Sequence, residues 1–172
     1  MDNDPTYDLF FIGAKEDPRS CSIIGEDDTK PIYFSFETYE RPMANKRTII
    51  SRGRDAIASF EWGPGNHLGY VYVGQRSFPM SHLMLPGSSS NARSFSSTDG
   101  RRFEWRRVQG SPSSYDLYML PNHHIAAFRR YVSSTAVGPS HGLLQYKFMD
   151  DMLLLECLLS LCVQRYMDSH GI

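Results

Sequence analysis

A run of twelve residues near the end of the chain contains ten apolar side chains and constrains the fold more than any other segment. It extends from Met152 to Val163 and follows Asp150 and Asp151, which favour the start of a helix. A helix that is apolar nearly all round must be buried in protein or in lipid. At about 1.5 Å per residue the run spans about 18 Å, short of the roughly 30 Å hydrocarbon core of a bilayer. We therefore expect a buried core helix over residues 150–168, with a tail anchor as the alternative.

The few polar residues of this helix follow a regular spacing. Glu156, Ser160, Gln164 and Asp168 lie four residues apart. Because an α-helix completes a turn in 3.6 residues, this spacing places them on one face. The sequence therefore predicts a single narrow polar stripe along an otherwise apolar helix.

The chain before this helix consists of short apolar or alternating segments separated by turn residues, which is typical of antiparallel β structure. Asp99-Gly100 suits a type I′ hairpin. A chain of 172 residues is the size of one domain, and about eleven strands in it indicate a barrel or a sandwich. The predicted strands are 7–12, 32–37, 47–51, 56–62, 68–73, 78–85, 92–96, 102–108, 115–120, 125–132 and 143–148.

Two predicted strands end in the same three residues. Phe60-Glu61-Trp62 and Phe103-Glu104-Trp105 both alternate aromatic and acidic side chains. Since successive side chains of a strand point to opposite faces, the aromatic residues are predicted to lie in the core and both glutamates in solvent.

An all-β chain of about eleven or twelve strands that ends in one apolar helix resembles the tubby C-terminal-like superfamily, which includes phospholipid scramblases and LURP-one-related proteins. More narrowly, it looks like a fungal family of small tubby-like proteins of unknown function. The matching segments are 48–50, 58–62, 95, 99–106, 125–128 and 148–153.

The resemblance implies a mainly β fold, a closed antiparallel barrel of about 11–12 strands wrapped around the C-terminal helix. The resemblance covers roughly residues 30–170, and we predict the barrel over residues 29–172. The acidic N-terminal segment, residues 1–28, matches no family motif, and we expect its strand 7–12 to pack on the barrel. The family pattern contributes no catalytic residues.

The near-neutral net charge of -1 conceals a strong internal polarity. Residues 1–40 carry a net charge of -7, residues 41–130 carry +8 and residues 131–172 carry -2. Arginine outnumbers lysine 14 to 4, and guanidinium groups bind phosphate in a bidentate manner. The candidate residues for binding an anion or a lipid are Arg52, Arg54, Arg101, Arg102, Arg106, Arg129 and Arg130.

These arginines predict a non-enzymatic domain that binds an anionic lipid of the phosphoinositide type, or a protein partner, on an arginine-rich outer surface. The simpler interpretation is a solvated face whose arginines pair with the acidic N-terminal segment. A protein of a different functional class is the alternative: a cofactor-free enzyme or a small-molecule carrier with a pocket at the barrel mouth. Nucleic acid is disfavoured because no recognised binding module is present, and the sequence does not indicate an oligomeric state.

Other motifs point to no catalytic residue, cofactor or metal site. Gly138-Pro139-Ser140-His141-Gly142 matches G-x-S-x-G, but a nucleophile elbow needs a strand before it and a helix after it, whereas a strand is predicted to follow. The six histidines lack metal-ligand spacing. The three cysteines form no C-x-x-C pair and are expected to be reduced and buried. No secretory signal is recognisable, which favours the cytoplasm, with a membrane surface or the nucleus as further locations.

Overall fold

The structure, a computed structural model, describes residues 5–13, 15–26, 30–40, 45–65, 67–135 and 138–171. These residues form a mainly β fold with one long helix, α1, at Asp151–His170. A short 3-10 helix spans Met80–Leu83. The strands are β1 Tyr7–Ile12, β2 Cys21–Glu26, β3 Pro31–Tyr39, β4 Arg47–Arg52, β5 Asp55–Glu61, β6 Tyr70–Val73, β7 Arg76–Pro79, β8 Leu85–Pro86, β9 Ala92–Ser96, β10 Arg102–Arg107, β11 Tyr115–Met119, β12 His123–Thr135 and β13 Gly138–Tyr146.

All thirteen strands belong to one antiparallel sheet, in the order β7-β6-β5-β4-β3-β2-β1-β13-β12-β11-β10-β9-β8. Strands that follow each other in the sequence pair with each other, apart from β7 and β8. The one pairing between strands distant in sequence is that of β1 with β13, as in Leu9 with Leu144. The outermost strands β7 and β8 are not hydrogen-bonded to each other. The closed barrel that the sequence predicts therefore stays a prediction.

The predicted core helix is confirmed. It begins after the N-cap Asp150, whose carboxylate accepts a hydrogen bond from the Leu153 backbone N–H at 3.1 Å. It ends at Gly171, whose φ of 67° is the left-handed conformation that closes many helices. All residues from Leu153 to Met167 are buried except Glu156.

The sheet curves around this helix, since inner-face side chains from distant strands all reach it. Trp105 of β10 donates from its indole Nε1 to the Ser160 hydroxyl at 2.8 Å. Trp62, just after β5, packs its ring on Tyr166 with centroids 4.4 Å apart. The helix thus supplies the centre of the hydrophobic core, and openings to solvent lie near its two ends.

The predicted polar stripe is the side of the helix that bonds to β9–β11 and their loops. Besides the Trp105–Ser160 bond, Asp168 accepts from the Tyr115 hydroxyl at 2.6 Å, and Gln164 donates to Asp168 at 3.0 Å. At the other end of the stripe, Glu156 accepts from Thr98. These bonds fix how the helix is rotated inside the sheet.

Three regions differ most from the predicted strands. Strand β13 begins at Gly138, five residues before the predicted strand 143–148, and strand β2 has no counterpart among the predicted strands. In the structure a Cβ on Gly25 would lie 2.3 Å from the Asp8 carbonyl oxygen, so glycine permits the close approach of β1. The predicted strand 78–85 is divided into β7, the 3-10 helix and β8.

The prediction of two solvated glutamates is wrong for Glu104. Its side chain is only 1% exposed, because residues 87–91 fold over it: Ser88 donates to it from its hydroxyl at 2.6 Å and from its backbone N–H at 3.1 Å. The Arg106 guanidinium pairs with the same carboxylate at 2.6 Å. These hydrogen bonds outweigh the effect of burial and hold the pKa of Glu104 below its ordinary value.

The cysteine prediction is confirmed as far as burial is concerned, since Cys21, Cys157 and Cys162 are all buried free thiols. Burial raises the pKa of the Cys21 thiol to about 12. Within the described residues, no helix is long and apolar enough to cross a membrane.

Candidate functional site

Two of the seven candidate arginines contact the first turn of α1. Arg52 Nη1 lies 3.2 Å from Asp151, and Arg101 Nη2 lies 3.2 Å from Asp150. Arg101 also pairs with Asp99 at 2.7 Å. These guanidinium groups therefore already have carboxylate partners at the start of the helix.

Arg129 and Arg130 lie on β12, near the other end of the helix. Arg129 pairs with Asp116 at 2.8 Å and donates to the Tyr115 carbonyl oxygen, and Arg130 pairs with Glu16. Because Tyr115 binds Asp168 in the last turns of α1, this group lies about 25 Å along the helix axis from the first. The seven arginines are therefore not brought together into one site.

The remaining candidate arginines are Arg106, Arg54 and Arg102. Arg106 is the partner of the buried Glu104 and stacks on Tyr118 at 3.9 Å. Among the described residues, Arg54 and Arg102 form no ion pair, although Arg102 contacts the Ser94 hydroxyl at 3.4 Å. Of the seven, only Arg130 pairs with the acidic N-terminal segment in the described residues. Of the other pairings, those of Arg52 and Arg101 reach the start of the helix, that of Arg129 reaches a neighbouring strand, and Arg106 pairs within its own strand.

An arginine outside this set has a more unusual environment. Arg165 lies in α1 and is only 9% exposed, with its guanidinium 4.6 Å from the Phe128 ring centroid and 5.8 Å from that of Phe11. It makes no hydrogen bond or ion pair with any residue that the structure describes. Burial lowers the pKa of Arg165. The guanidinium keeps some contact with solvent through the cleft that it lines, but a charge in such a partly desolvated position is costly unless an anion pairs with it.

Arg165 lines a cleft of about 600 Å³ at the C-terminal end of the helix. Arg107 and Asp168 form an ion pair at its wall, and the loop 110–114 forms its rim. Burial and the hydrogen bond to Asp168 raise the pKa of Tyr115, so its hydroxyl keeps its proton and acts as a donor. The cleft thus combines a buried cation with a fixed network of hydrogen bonds.

Glu16 lines the cleft opposite this network. The hydrogen bond from Arg130 lowers the pKa of Glu16 and keeps the carboxylate ionised. His141 lies buried nearby, and neither of its ring nitrogens has a hydrogen-bond partner among the residues that the structure describes. Burial, with a smaller contribution from Arg165, lowers the pKa of His141 and favours the neutral ring.

Arg165 is not among the arginines that the sequence predicts as candidates, because it lies outside the arginine clusters. The signal in the sequence is its position: a single basic residue two positions after the apolar run, within a helix predicted to be buried. A charge that the helix must carry into the core is more informative than several charges at strand ends.

The G-x-S-x-G segment lies within strand β13, and the Ser140 hydroxyl donates to the Tyr131 carbonyl oxygen at 3.2 Å. A strand therefore occupies the position at which a nucleophile elbow needs a turn into a helix. In the part of the chain that the structure describes, no three His, Cys, Asp or Glu side chains are arranged to hold a metal ion.

Comparison with known protein families identifies the family of this chain. Residues 16–164 match a family of unknown function, DUF6593, so the chain belongs to that family. Comparisons with curated proteins and with solved structures gave no match. The function must therefore be argued from the site itself.

Proposed function

We propose that this member of a family of unknown function is a non-enzymatic binding domain that holds an anionic ligand in the cleft at the C-terminal end of α1. One observation carries the proposal: Arg165 is buried, faces the cleft and has no anionic partner among the described residues. A bound phosphate would supply that partner. The ligand that we propose is an anionic lipid headgroup of the phosphoinositide type.

The composition of the cleft supports a phosphate group in particular. A guanidinium presents paired N–H donors that match two phosphate oxygens, and Arg107 provides a second guanidinium at the wall. The hydroxyl-bearing Ser111, Ser113 and Ser114 line the same cleft. Its volume of about 600 Å³ lies within the usual range for small-ligand pockets.

The fold that accompanies this proposal is a closed tubby-like barrel, in a protein related to a fungal family. The curvature of the sheet around α1 supports closure, with the 3-10 helix bridging the gap between β7 and β8. We propose a cytoplasmic protein that meets a membrane surface at the cleft. The outer arginines then add general attraction to an anionic surface, because a charged surface attracts counterions without specific contacts.

A small-molecule carrier is the second candidate function. The observation that favours it is the cleft itself, since Glu16, Tyr115, Arg165 and Asp168 converge on one concave site. Tyr115 and Asp168 already bond to each other, and Glu16 already pairs with Arg130, which suits holding a ligand better than transferring a proton. In this case the anion would be a free phosphate compound rather than a lipid.

Co-sedimentation with vesicles tests the proposal. Three vesicle types are used: phosphatidylcholine alone, phosphatidylcholine with phosphatidylserine, and phosphatidylcholine with phosphatidylinositol bisphosphate. We expect binding to the last type at moderate salt, and at least a tenfold weakening in Arg165→Met. The control Arg54→Met removes one exposed arginine of the outer surface and should weaken vesicle binding far less than Arg165→Met. Equal binding by Arg165→Met and the wild type would refute the proposed site.

Calorimetric titration with soluble inositol trisphosphate separates the two sources of phosphate. Binding of the soluble compound together with the vesicles indicates headgroup recognition. Binding of the soluble compound alone supports the carrier. Absence of both refutes the proposed function.

A further inference from the structure

A second cleft, of about 540 Å³, opens over the first half of α1, between strand β7 and the segment 96–98. It lies beside the edge of the sheet where β7 has no further strand to pair with. Leu155 and Leu159 of the helix form its apolar floor, and Phe78 of β7 lies on its wall. The cleft therefore combines a largely apolar lining with a small number of polar and charged side chains.

Glu156 lies in this cleft and differs from the rest of the polar stripe. Its Oε1 accepts from the Thr98 backbone N–H at 3.3 Å and from the Thr98 hydroxyl at 3.1 Å. No basic side chain of the described residues forms an ion pair with it. Burial raises the pKa of Glu156 above its ordinary value. The stripe thus ends in a half-buried carboxylate that has only neutral partners.

Arg76 lies on the opposite side of Thr98. Its Nη1 donates to the same Thr98 hydroxyl at 2.9 Å, and its guanidinium lies 5.5 Å from the Phe78 ring centroid. It forms no ion pair with a carboxylate in the described part of the chain. One hydroxyl therefore separates a carboxylate and a guanidinium, and both line the cleft.

We infer that this cleft binds a small zwitterion with an apolar side chain, of the class of the hydrophobic α-amino acids. The ammonium group pairs with Glu156, the carboxylate pairs with Arg76, and the apolar side chain lies on Leu155, Leu159 and Phe78. The site shares no residue with the Arg165 cleft, so it does not depend on the proposed function.

Charge complementarity selects this class over its neighbours. A molecule with only an ammonium group would be attracted by Glu156 and repelled by Arg76. A molecule with only a carboxylate would be repelled by Glu156 and attracted by Arg76. A zwitterion satisfies both charges at once. Pairing in a partly desolvated cleft is stronger than in water because the effective dielectric constant is lower.

Three probes that differ only in their charged groups test the inference: L-phenylalanine, 2-phenylethylamine and 3-phenylpropionate. Each is titrated into the full-length protein with labelled leucine and methionine methyl groups, and the shifts of Leu155, Leu159 and Met152 are followed by NMR. We expect L-phenylalanine to bind at least tenfold more tightly than either analogue, with shifts concentrated at these three residues.

Two variants assign the charged groups. Glu156→Gln keeps an oxygen that can accept a hydrogen bond from Thr98. It should weaken the binding of L-phenylalanine at least tenfold and should not weaken the binding of 3-phenylpropionate. Arg76→Gln changes an exposed side chain. It should weaken the binding of L-phenylalanine and should not weaken the binding of 2-phenylethylamine. Glu16→Gln, in the other cleft, is the matched control and should bind L-phenylalanine like the wild type.

Equal affinity for the three probes, absence of shifts at millimolar concentration, or full retention of L-phenylalanine binding by both variants would overturn the inference. None of these results bears on phosphate binding at Arg165, since the two clefts are assayed with different compounds.

Discussion

Replacement of Arg165 by methionine separates stability from binding in one experiment. The Arg165 side chain is buried, its guanidinium contacts the rings of Phe11 and Phe128, and it forms no ion pair with a carboxylate of the described residues. If the position is kept for a ligand, its charge costs stability while the cleft is empty. Arg165→Met should therefore make the protein more stable in the absence of anions and unable to bind them.

The size of the effect follows from opposing contributions. Burial of one charged group lowers the free energy of unfolding by several kcal/mol. Because the cleft is open to solvent, the cost for Arg165 lies at the lower end of this range, about 4 kcal/mol. The contact with Phe128 returns about 2 kcal/mol and the longer contact with Phe11 about 0.5 kcal/mol. Methionine keeps the packing of the side-chain stem and makes its own sulfur–aromatic contacts. The expected gain in unfolding free energy is about 1–2 kcal/mol.

Thermal unfolding in a buffer free of phosphate measures this gain. For a domain of this size, about 1 kcal/mol corresponds to about 2–4 °C in Tm, so Tm should rise by about 3–6 °C. Arg54→Met, at an exposed position, should leave Tm nearly unchanged. A fall of Tm by more than about 4 °C in Arg165→Met would refute the reasoning, because it would mean that the folded protein satisfies the charge internally.

Two further predictions concern the pH dependence of stability and the buried glutamate. The pKa of His141 is lowered in the folded protein. As the pH falls below about 6.5, the unfolded chain therefore takes up a proton on this side chain that the folded protein does not, and the free energy of unfolding decreases. Urea unfolding at about pH 7.5 and about pH 5.5 should therefore show a smaller loss in His141→Leu than in the wild type, and an equal loss would contradict the assignment. Glu104→Ala breaks the ion pair with Arg106 and the bonds from Ser88, and should lower the unfolding free energy by about 2–4 kcal/mol. The corresponding Glu61→Ala, at a partly exposed ion pair, should cost less than about 1 kcal/mol in the same urea titration, and similar costs for both would argue against burial as the cause.

The fold was predictable where one physical requirement dominates. The apolar run at 152–163 can only be buried, and its polar residues at a spacing of four can only form a stripe, so helix and stripe both follow from periodicity. Strand β2 did not follow, because its pairing depends on the close approach of β1 to Gly25. Burial of Glu104 depends on the loop at 87–91, which alternation within one strand does not describe.

The candidate sites were less predictable for the same reason. Clusters of arginine are visible in the sequence, but their carboxylate partners, such as Asp116 for Arg129 and Asp151 for Arg52, come from distant segments. Arg165 and Glu156 stand out because neither forms an ion pair with another residue that the structure describes. The lack of an oppositely charged partner is a property of the assembled fold and has no local pattern in the sequence.

The pairing of β1 with β13 also has a consequence for biosynthesis. The ribosome makes β1 before the other strands, yet one of its hydrogen-bonded neighbours, β13, emerges only after the eleven strands between them, and α1 emerges after that. Until the helix arrives, the inner aromatic face of the sheet has nothing to pack against, and such surfaces aggregate. The nascent chain should therefore engage general chaperones late in translation, and stalling just before residue 151 should yield an insoluble product.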